Sequence, residues 1–310
     1  MVSIIQKGDY LMETIRFKIN DQLNILDGLS LCLGYFDGLH LGHMRLIDKA
    51  KESVYKSAVL TFEFADNINI KNSKYLTSFA DKQRILTAKE VDYLLVLYFN
   101  QETMNLSSDC FIQKVIKKFN VKEIIVGEDF RFGYQALGNI ELLKTYQEFK
   151  TIVIEELKDE EKKIGTSTII KLIENGDIEK ANKLLGYNYK ITGRVKKGFK
   201  FGRKNHFPTA NVELNNYVIP KYGVYACIIS FNNKSYKAMA NIGTHPTVNK
   251  LEKALLEVNI FGFNENIYDQ IIAVELISFI REEKKFSSSE ELYKQITLDQ
   301  NSCLKVLKKA

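Results

Sequence analysis

The sequence is poor in the residues that build disulfide frameworks and zinc sites. Its four cysteines, Cys32, Cys110, Cys227 and Cys303, are widely scattered and form no C-x-x-C pair, and only four histidines are present. This spacing argues against both a disulfide scaffold and a zinc site. We therefore expect reduced thiols, and oxygen ligands for any bound metal.

Long apolar runs are also absent. The longest, Tyr93–Phe99, is far shorter than the roughly 20 residues that a membrane-spanning helix needs. The N-terminal segment has no apolar core of signal-peptide length followed by small residues. The sequence also shows no internal repeat. We expect a cytoplasmic protein that does not associate with a membrane.

Length and composition predict two globular domains. The 310 residues are 45% hydrophobic and 26% charged, enough to bury a sizeable core, and domains average about 150 residues. Residues 187–310 contain 19 Lys+Arg and 11 Asp+Glu, whereas residues 1–186 contain 25 and 27. This asymmetry favours an anionic ligand in the second half, such as ATP or RNA, although a lysine-rich surface would produce it equally.

The first half alternates short apolar runs with longer amphipathic stretches. The runs LSLCLG, AVLTFEF, DYLLVLYF, EIIVG and TIVIEE are separated by segments of helical periodicity. Near-continuous apolar strands that alternate with helices predict a Rossmann-like parallel sheet wrapped by helices. Ligands of such a sheet bind at the loops that follow its strands.

The pattern changes after Gly186. Two short helical segments, 166–174 and 177–185, form a connector that ends at this glycine. Beyond it, β-branched and aromatic runs such as YGVYACIISF are punctuated by Gly, Asn and Pro, which predicts a small antiparallel β-barrel, and the tail returns to helical periodicity. We therefore predict an α/β domain over 1–186 and a barrel with a C-terminal helix over 187–310.

The run GYFDGLHLGH follows the first predicted strand. Backbone N–H groups and a helix N-terminus at such a junction can cradle phosphates. His40, Gly42 and His43 form an H-x-G-H pattern. Its glycine lets a nucleotide approach closely, and both imidazoles can donate hydrogen bonds to charge that develops on an α-phosphate. Zinc ligands, or incidental histidines on an ordinary turn, are the alternative interpretations.

A second segment, VGEDFRFGYQALG at 126–138, places an aromatic pair between glycines after a buried strand. The pair can stack on a ring or close a hydrophobic core. Together the two segments resemble the nucleotidyltransferase signatures of the FAD synthetase domain in bifunctional bacterial riboflavin kinase/FAD synthetases. The resemblance implies that His40 and His43 are catalytic and that Phe132 lies on the flavin side. It implies nucleotide binding by Gly34, Phe36, Asp37, Gly38, Gly42, Gly127, Asp129, Phe130, Thr166 and Ser167.

The sequence departs from this family at two places. Residues 61–66 read TFEFAD in place of T-F-D-P-H-P, and residues 164–170 read IGTSTII in place of I-S-S-T-x-I-R. Ile170 thus replaces an arginine that is expected to clamp the ATP phosphates. Lys171, one residue later, is turned by about 100° around the helix from position 170. Its ammonium is a point charge and lacks the planar pair of donors of a guanidinium. The missing hydrogen bonds predict adenylylation slowed roughly ten- to a hundredfold or more.

Residues 193–214, GRVKKGFKFGRKNHFPTANVEL, contain a glycine-spaced basic loop that can fold over phosphates. Thr209 and Asn211 lie two apart and share one face of an extended strand. A hydroxyl and an amide oxygen are ligands that Mg²⁺ accepts beside nucleotide phosphates. From spacing alone, a strand entrance at Pro208 and a solvated loop are the alternatives.

This segment resembles the riboflavin kinase pattern G-x-V-x-x-G-x-x-x-G-R…P-T-A-N, and the family-like segments PKYGVYA, NIGTHPTV, LEVNIF and FIREEKKFSSSEEL follow in order. The resemblance implies nucleotide binding by Gly198, Gly202 and Arg203, Mg²⁺ binding by Thr209 and Asn211, and a flavin contact from Arg281. It also implies that Glu257 is the general base for the riboflavin 5′-hydroxyl. Periodicity alone would make Glu257 a solvent-facing carboxylate. Asn259 replaces a usual histidine.

The resemblance implies phosphorylation of riboflavin to FMN and adenylylation of FMN to FAD with pyrophosphate release. We expect Mg²⁺ as the metal and ATP as co-substrate. The expected partners are riboflavin, FMN and ATP, without nucleic acid, for a monomer or weak homo-oligomer. The alternatives are a riboflavin kinase that has lost adenylylation, a nucleotidyltransferase for another phosphate acceptor, and a non-catalytic protein that binds RNA or flavin. Against RNA, aromatics spaced for successive bases are not evident in the basic loop.

Overall fold

The chain folds into two compact units. The computed structural model describes residues 2–7, 10–23, 27–65, 74–159, 162–196, 208–244 and 254–308. The first unit comprises Met1–Ser73 and Thr77–Gly165, and the second comprises Lys74–Leu76 and Thr166–Ala310. Within the described ranges, no helix combines the length and the apolar character that a membrane crossing requires.

A seven-stranded sheet forms the first unit. Its strands are β1 (Val2–Lys7), β2 (Tyr10–Phe17), β3 (Leu29–Leu33), β4 (Lys56–Phe64), β5 (Tyr93–Phe99), β6 (Val121–Gly127) and β7 (Lys150–Ile154). Their order is β1-β2-β5-β4-β3-β6-β7. The edge strand β1 is antiparallel to β2, and every other neighbouring pair is parallel. The predicted Rossmann-like sheet is therefore confirmed, and two strands that were not predicted, the parallel β2 and the antiparallel edge strand β1, extend it.

Helices follow the strands of this sheet. They are α1 (Leu41–Lys51), α2 (Phe79–Ala88), α3 (Gln101–Met104), α4 (Ser108–Phe111), a π-helical turn (Ile112–Ile116), a 3₁₀ turn (Tyr134–Ala136) and α5 (Ile140–Thr145). A short hairpin, β8 (Lys158–Asp159) and β9 (Lys162–Lys163), ends the unit.

Both faces of the sheet are covered, which explains its near-continuous apolar strands. Alternate residues of β3 belong to different hydrophobic clusters. Leu31 shares one cluster with Phe111 and Ile112, whereas Cys32 shares the other with Ile47 of α1 and Leu86 of α2. Because ligands of such a sheet bind beyond the ends of its strands, the loop after β3 is placed to form a site.

The second unit begins with two helices, α6 (Thr166–Asn175) and α7 (Ile178–Leu185). Gly186 ends α7 with a left-handed backbone, φ 80° and ψ 8°, so the predicted glycine terminus is confirmed. The compact units divide the chain at Gly165, and the division of two activities at residue 186 stays a prediction.

Six antiparallel strands then close into a barrel, as predicted. They are β10 (Lys190–Lys196), β11 (Ala210–Val212), β12 (Gly223–Phe231), β13 (Lys234–Thr244), β14 (Ala254–Ile260) and β15 (Ile271–Glu282). Their order is β10-β11-β14-β13-β12-β15, and β15 pairs back to β10.

The barrel has an apolar interior and an outer face that carries the C-terminal helix α8 (Ser289–Leu307). Tyr225 and Cys227 of β12 are fully buried, whereas Ala226 between them belongs to a cluster with Cys303 and Leu307 of α8. Since side chains alternate along a strand, Tyr225 and Cys227 point into the barrel and Ala226 points towards α8.

Candidate active sites of the two units

The loop between β3 and α1 turns through an unusual backbone. Phe36, Gly38 and Leu39 have φ values of 54°, 77° and 39°. A left-handed conformation is unfavourable for a residue with a side chain. Both Phe36 and Leu39 are fully buried, and this burial holds the turn in place. Such strain is common where a loop is shaped around a ligand.

This turn places His40 at the start of α1. Its Nδ1 accepts a hydrogen bond from the His43 backbone N–H at 3.4 Å and so caps the helix. Because Nδ1 accepts, the proton of the neutral ring lies on Nε2, which can donate to a ligand. The two imidazole rings stack with their centroids 3.7 Å apart.

The glycine of the H-x-G-H pattern has a packing role that the sequence did not indicate. A Cβ atom on Gly42 would lie 3.1 Å from both Cε1 and Nδ1 of His40. That spacing is tighter than ordinary van der Waals contact, so any side chain at residue 42 would press on the imidazole. Glycine therefore preserves the position of His40.

Both imidazoles are neutral near pH 7. Burial lowers the pKa of His40 to about 4, and the charge of Lys163 acts in the same direction. Burial also lowers the pKa of His43 well below its ordinary value, assisted by His40, Lys82 and Lys163. Among the described residues, the buried Nδ1 of His43 has no hydrogen-bond partner. The rings can thus act as uncharged donors, and the positive charge near them comes from lysines.

Asp37 contacts the chain before α2. Its carboxylate accepts hydrogen bonds from the backbone N–H and the hydroxyl of Thr77, at 3.1 and 3.3 Å. The Thr77 oxygen in turn accepts from the Gly38 N–H at 3.0 Å. Asp37 is buried and therefore shapes the loop. Thr77 is a residue that the sequence analysis missed.

Lys82 was also missed. It lies on the core-facing side of α2, with Phe79 and Leu86 three residues before and four residues after it. Its Nζ donates to the carbonyl oxygen of Tyr35 at 2.7 Å and to Thr61 Oγ1 at 2.9 Å. A lysine on the apolar face of an amphipathic helix was the available signal.

The segment after β6 lies at the same site. Asp129 and Glu156 both form ion pairs with Lys163, the residue whose charge lowers the pKa values of both histidines. The Phe130 backbone N–H bonds to the carbonyl oxygen of Gly127 at 3.1 Å. The structure thus brings the predicted Asp129 near the H-x-G-H turn.

The aromatic pair of this segment is stacked. The rings of Phe130 and Phe132 have centroids 5.7 Å apart and planes 17° apart. Phe132 is only 7% exposed and lies 5.6 Å from Phe111 in the core. Gly138 exchanges two backbone hydrogen bonds with it, at 3.1 and 2.8 Å. Phe132 thus occupies the hydrophobic core, and its flavin contact stays a prediction.

Thr166 and Ser167 open α6 in the second unit, and Ile170 follows half-buried on the same helix. Their relation to a nucleotide stays a prediction. Gly198, Gly202 and Arg203 lie outside the described residues, as does Asp66.

Three polar residues form a row across the barrel. Asn211 of β11 lies directly opposite Glu257 of β14, which lies opposite Asn241 of β13. Opposite residues in antiparallel strands point to the same face. Leu256 and Val258, which flank Glu257, are fully buried in the interior, so Asn211, Glu257 and Asn241 form an outward-facing row. The structure thus brings together two predicted site residues and adds Asn241, which the sequence analysis missed.

The entrance to this row is held by Asn259. Its side-chain amide donates to the carbonyl oxygen of Pro208 at 2.8 Å, and Asn259 is buried. Pro208 and the exposed Thr209 immediately precede β11. The residue that replaces a usual histidine therefore anchors the segment that bears the predicted magnesium ligands.

The first glycine of the riboflavin kinase pattern is required by strand packing. A Cβ atom on Gly193 would lie 2.1 Å from the carbonyl oxygen of Glu213. No side chain fits where β10 passes this close to Glu213, the residue that follows β11.

Arg281 belongs to the same outer face, because Val224 lies opposite both Asn241 and Arg281. Its Nε donates to the two carboxylate oxygens of Asp299 at 2.9 and 3.0 Å, and its Nη2 donates to Oδ2 at 2.7 Å. Asp299 is 3% exposed. This partly buried ion pair links β15 to α8, and a flavin contact by Arg281 stays a prediction.

Comparisons with known proteins cover both units. A riboflavin kinase family model matches residues 185–307, and an FAD synthetase model matches residues 23–168. A Buchnera aphidicola protein is 39% identical over 297 residues, covering 91% of this chain and 95% of that protein. A Bacillus subtilis protein is 36% identical over 288 residues, covering 89% and 91%. Both are named bifunctional riboflavin kinase/FMN adenylyltransferase.

The fold is also found in a crystal structure from Streptococcus pneumoniae. That protein, described as a macrolide-efflux protein, aligns with a TM-score of 0.84 and 31% identity over 93% of this chain and 97% of its own. The architecture of both units is therefore shared with an experimentally determined structure.

Proposed function

The chain belongs to the family of bifunctional riboflavin kinases/FMN adenylyltransferases, and from that premise we propose that it converts riboflavin to FMN and FMN to FAD. One observation carries the proposal. A single chain contains both the His40 and His43 turn at the start of α1 and the Asn211 and Glu257 pair on the barrel. Each lies within residues matched by the corresponding family model.

In the kinase step, Glu257 accepts the proton of the riboflavin 5′-hydroxyl, since a hydroxyl is a weak nucleophile. The hydroxyl oxygen bonds to the γ-phosphorus of ATP as the bond to the β,γ-bridging oxygen breaks, and ADP leaves. Thr209 and Asn211 offer a hydroxyl and an amide oxygen, a donor set that fits Mg²⁺. The ion, when bound there, would neutralise phosphate charge.

In the adenylylation step, an FMN phosphate oxygen bonds to the α-phosphorus of ATP as the bond to the α,β-bridging oxygen breaks, and pyrophosphate leaves. The attacking phosphate is already ionised, so no general base is needed. The N–H groups of His40 and His43 donate to oxygens on the α-phosphorus as negative charge develops. Their lowered pKa values leave each ring neutral, with one N–H that can donate to such an oxygen.

Several finer features belong to this proposal. We assign adenylylation to residues 1–186 and riboflavin phosphorylation to residues 187–310. We assign the protein to the cytoplasm, as a monomer or weak homo-oligomer without a nucleic-acid partner. The four cysteines, all at described positions, are free thiols, which supports a reducing compartment.

The test is to incubate the purified chain with riboflavin, Mg²⁺ and ATP, and to follow FMN, FAD and pyrophosphate together by chromatography. A second reaction starts from FMN and bypasses the kinase. FMN followed by FAD, with pyrophosphate equal to FAD, is the expected result. Absence of both flavin products would contradict the proposal.

A second candidate is a riboflavin kinase with weak adenylylation, and Ile170 in place of the family arginine favours it. An Ile170→Arg variant would restore a bidentate phosphate contact and raise FAD formation by roughly tenfold or more, without changing FMN formation. The control is Ile170→Lys, which adds a positive charge without the bidentate geometry of a guanidinium. An unchanged FAD rate in the arginine variant would contradict a limiting role for Ile170.

A further inference from the structure

Lys82 is a buried cation in the first unit. It is 5% exposed, and both hydrogen bonds that it makes to described residues go to uncharged oxygens, of Tyr35 and Thr61. Lysine is almost never fully buried without a paired charge. Burial is the main effect on its pKa, which falls to about 8, although the nearby Asp37 opposes this shift. Such a costly arrangement calls for a functional reason.

The hydrogen bonds of Lys82 join three segments of the site. The ammonium group comes from α2, Thr61 from β4, and Tyr35 from the loop after β3. Thr61 Oγ1 also donates to the Tyr35 carbonyl oxygen at 2.8 Å. The ammonium nitrogen lies 4.7 Å from the centroid of the Tyr35 ring. Lys82 thus binds Tyr35, the residue directly before Phe36. The left-handed turn towards the two histidines begins at Phe36.

We propose that Lys82 is a positioning residue of the adenylyl-transfer site: its ammonium holds the turn that carries His40 and His43, and its charge makes the site favourable for phosphate anions. The proposal rests on the adenylyltransferase activity proposed above. Lys82 does not need to touch the nucleotide. It acts through the Tyr35 carbonyl and through the electrostatic potential at the imidazoles.

The charges around Lys82 support an electrostatic role. Asp37 from the loop faces Lys82, and His43 from α1 is influenced by Lys82, His40 and the β9 residue Lys163. The two lysines, both cations near pH 7, oppose protonation of His43. The positive charge next to His43 therefore belongs to lysines, of which Lys163 is paired with Asp129 and Glu156 and Lys82 faces Asp37. The imidazoles remain neutral donors.

A purely structural role makes a different prediction. Replacement of a buried charged group by an apolar one of similar volume is often neutral or stabilising. A methionine at position 82 would fit between Phe79 and Leu86, and the Thr61–Tyr35 hydrogen bond would remain. If Lys82 only filled space, Lys82→Met would keep full FAD formation.

The experiment compares Lys82→Met, Lys82→Arg and the control Arg84→Met, which removes a cation from the exposed side of the same helix. FAD formation from FMN and ATP is measured for each variant, with riboflavin phosphorylation by the same chain as the control for the second unit. We expect Lys82→Met to lower kcat for FAD about 10- to 100-fold, with a smaller change in KM. Lys82→Arg should recover part of the loss, and Arg84→Met should match the wild type.

Two further readouts separate positioning from folding. The pH profile of FAD formation should fall above about pH 8 in the wild type as Lys82 loses its proton, and the fall should vanish in Lys82→Arg, which stays charged. The His43 pKa, followed by NMR, should rise in folded Lys82→Met. If Lys82→Met fails to fold, the pH profile of Lys82→Arg decides. A rate of FAD formation that still falls above about pH 8 in Lys82→Arg overturns the proposal.

The outcomes are distinct. If the wild type makes FAD and Lys82→Met has the same kcat, the inference about Lys82 is overturned and the proposed adenylyltransferase is not. Wild-type chain that makes FMN but no FAD overturns the proposed adenylyltransferase and, with it, this inference.

Discussion

The sheet unit and the barrel unit build their sites from different side chains. The loop after β3 carries buried, neutral imidazoles surrounded by lysine charge, whereas the barrel presents a half-buried row of Asn211, Glu257 and Asn241 on its outer face. The proposed acceptors explain the contrast. A phosphate is already ionised and needs hydrogen-bond donors at the reaction centre, while a hydroxyl needs a base. The protonation state of the acceptor thus decides which residue types each site requires.

The strongest test of this contrast is removal of the base. Glu257→Gln should lower FMN formation by about 10²- to 10⁴-fold, because the amide cannot accept the hydroxyl proton. FAD formation from supplied FMN should not change. Glu265→Gln, at an exposed position shortly after β14, is the matched control. A parallel loss of both activities in Glu257→Gln would show that the two sites are not independent.

Removal of an imidazole should have the converse effect. His43→Ala is expected to lower FAD formation by about 10²- to 10³-fold, because one donor to the developing phosphate charge is lost. Riboflavin phosphorylation by the same chain should be retained. Steady-state rates for both reactions check this, and full FAD formation in the variant would contradict a catalytic His43.

A smaller effect is expected from a methyl group beside His40. Gly42→Ala would place its Cβ 3.1 Å from the imidazole, and the shifted ring should lower FAD formation about ten- to a hundredfold. Gly165→Ala is the control, since the one described atom that its Cβ would meet is Lys163 Cε at 3.9 Å. Equal rates in the two variants would refute the packing role of Gly42.

The smallest effect is a pH dependence of stability. His40 has a pKa of about 4 in the folded chain and about 6.5 when unfolded. The unfolded chain binds more protons between these values, so the free energy of unfolding rises with pH across that window. The contribution of the neutral His40 to stability is fully present above it. Lowering the pH from 7 to 5 should therefore cost the first unit about 2 kcal/mol.

Thermal unfolding at the two pH values checks this last expectation. The change in melting temperature should be smaller in His40→Gln, which has no proton to gain. If the wild type and His40→Gln show the same change in melting temperature between the two pH values, His40 does not cause the pH dependence.

Local patterns in the sequence predicted the structure best. Apolar runs predicted five of the seven sheet strands, β3 to β7, the change after Gly186 predicted the barrel, and both are confirmed. The sequence was less informative for side chains that can pack in two ways. Phe132 lies in the core and Arg281 binds Asp299. A motif position does not say whether an aromatic ring or a guanidinium reaches a ligand or a neighbouring element.

Strand periodicity, the glycine helix terminus and the histidine turn are short-range properties, and so the order of amino acids was enough to predict them. Three features depend instead on the folded chain. They are the neutral state of the histidines, the hydrogen bond from Lys82 to Tyr35, and the alignment of Asn211, Glu257 and Asn241. Each joins residues from separate strands, helices or loops, and burial and strand register, which control pKa values and neighbours, exist only after those elements have packed.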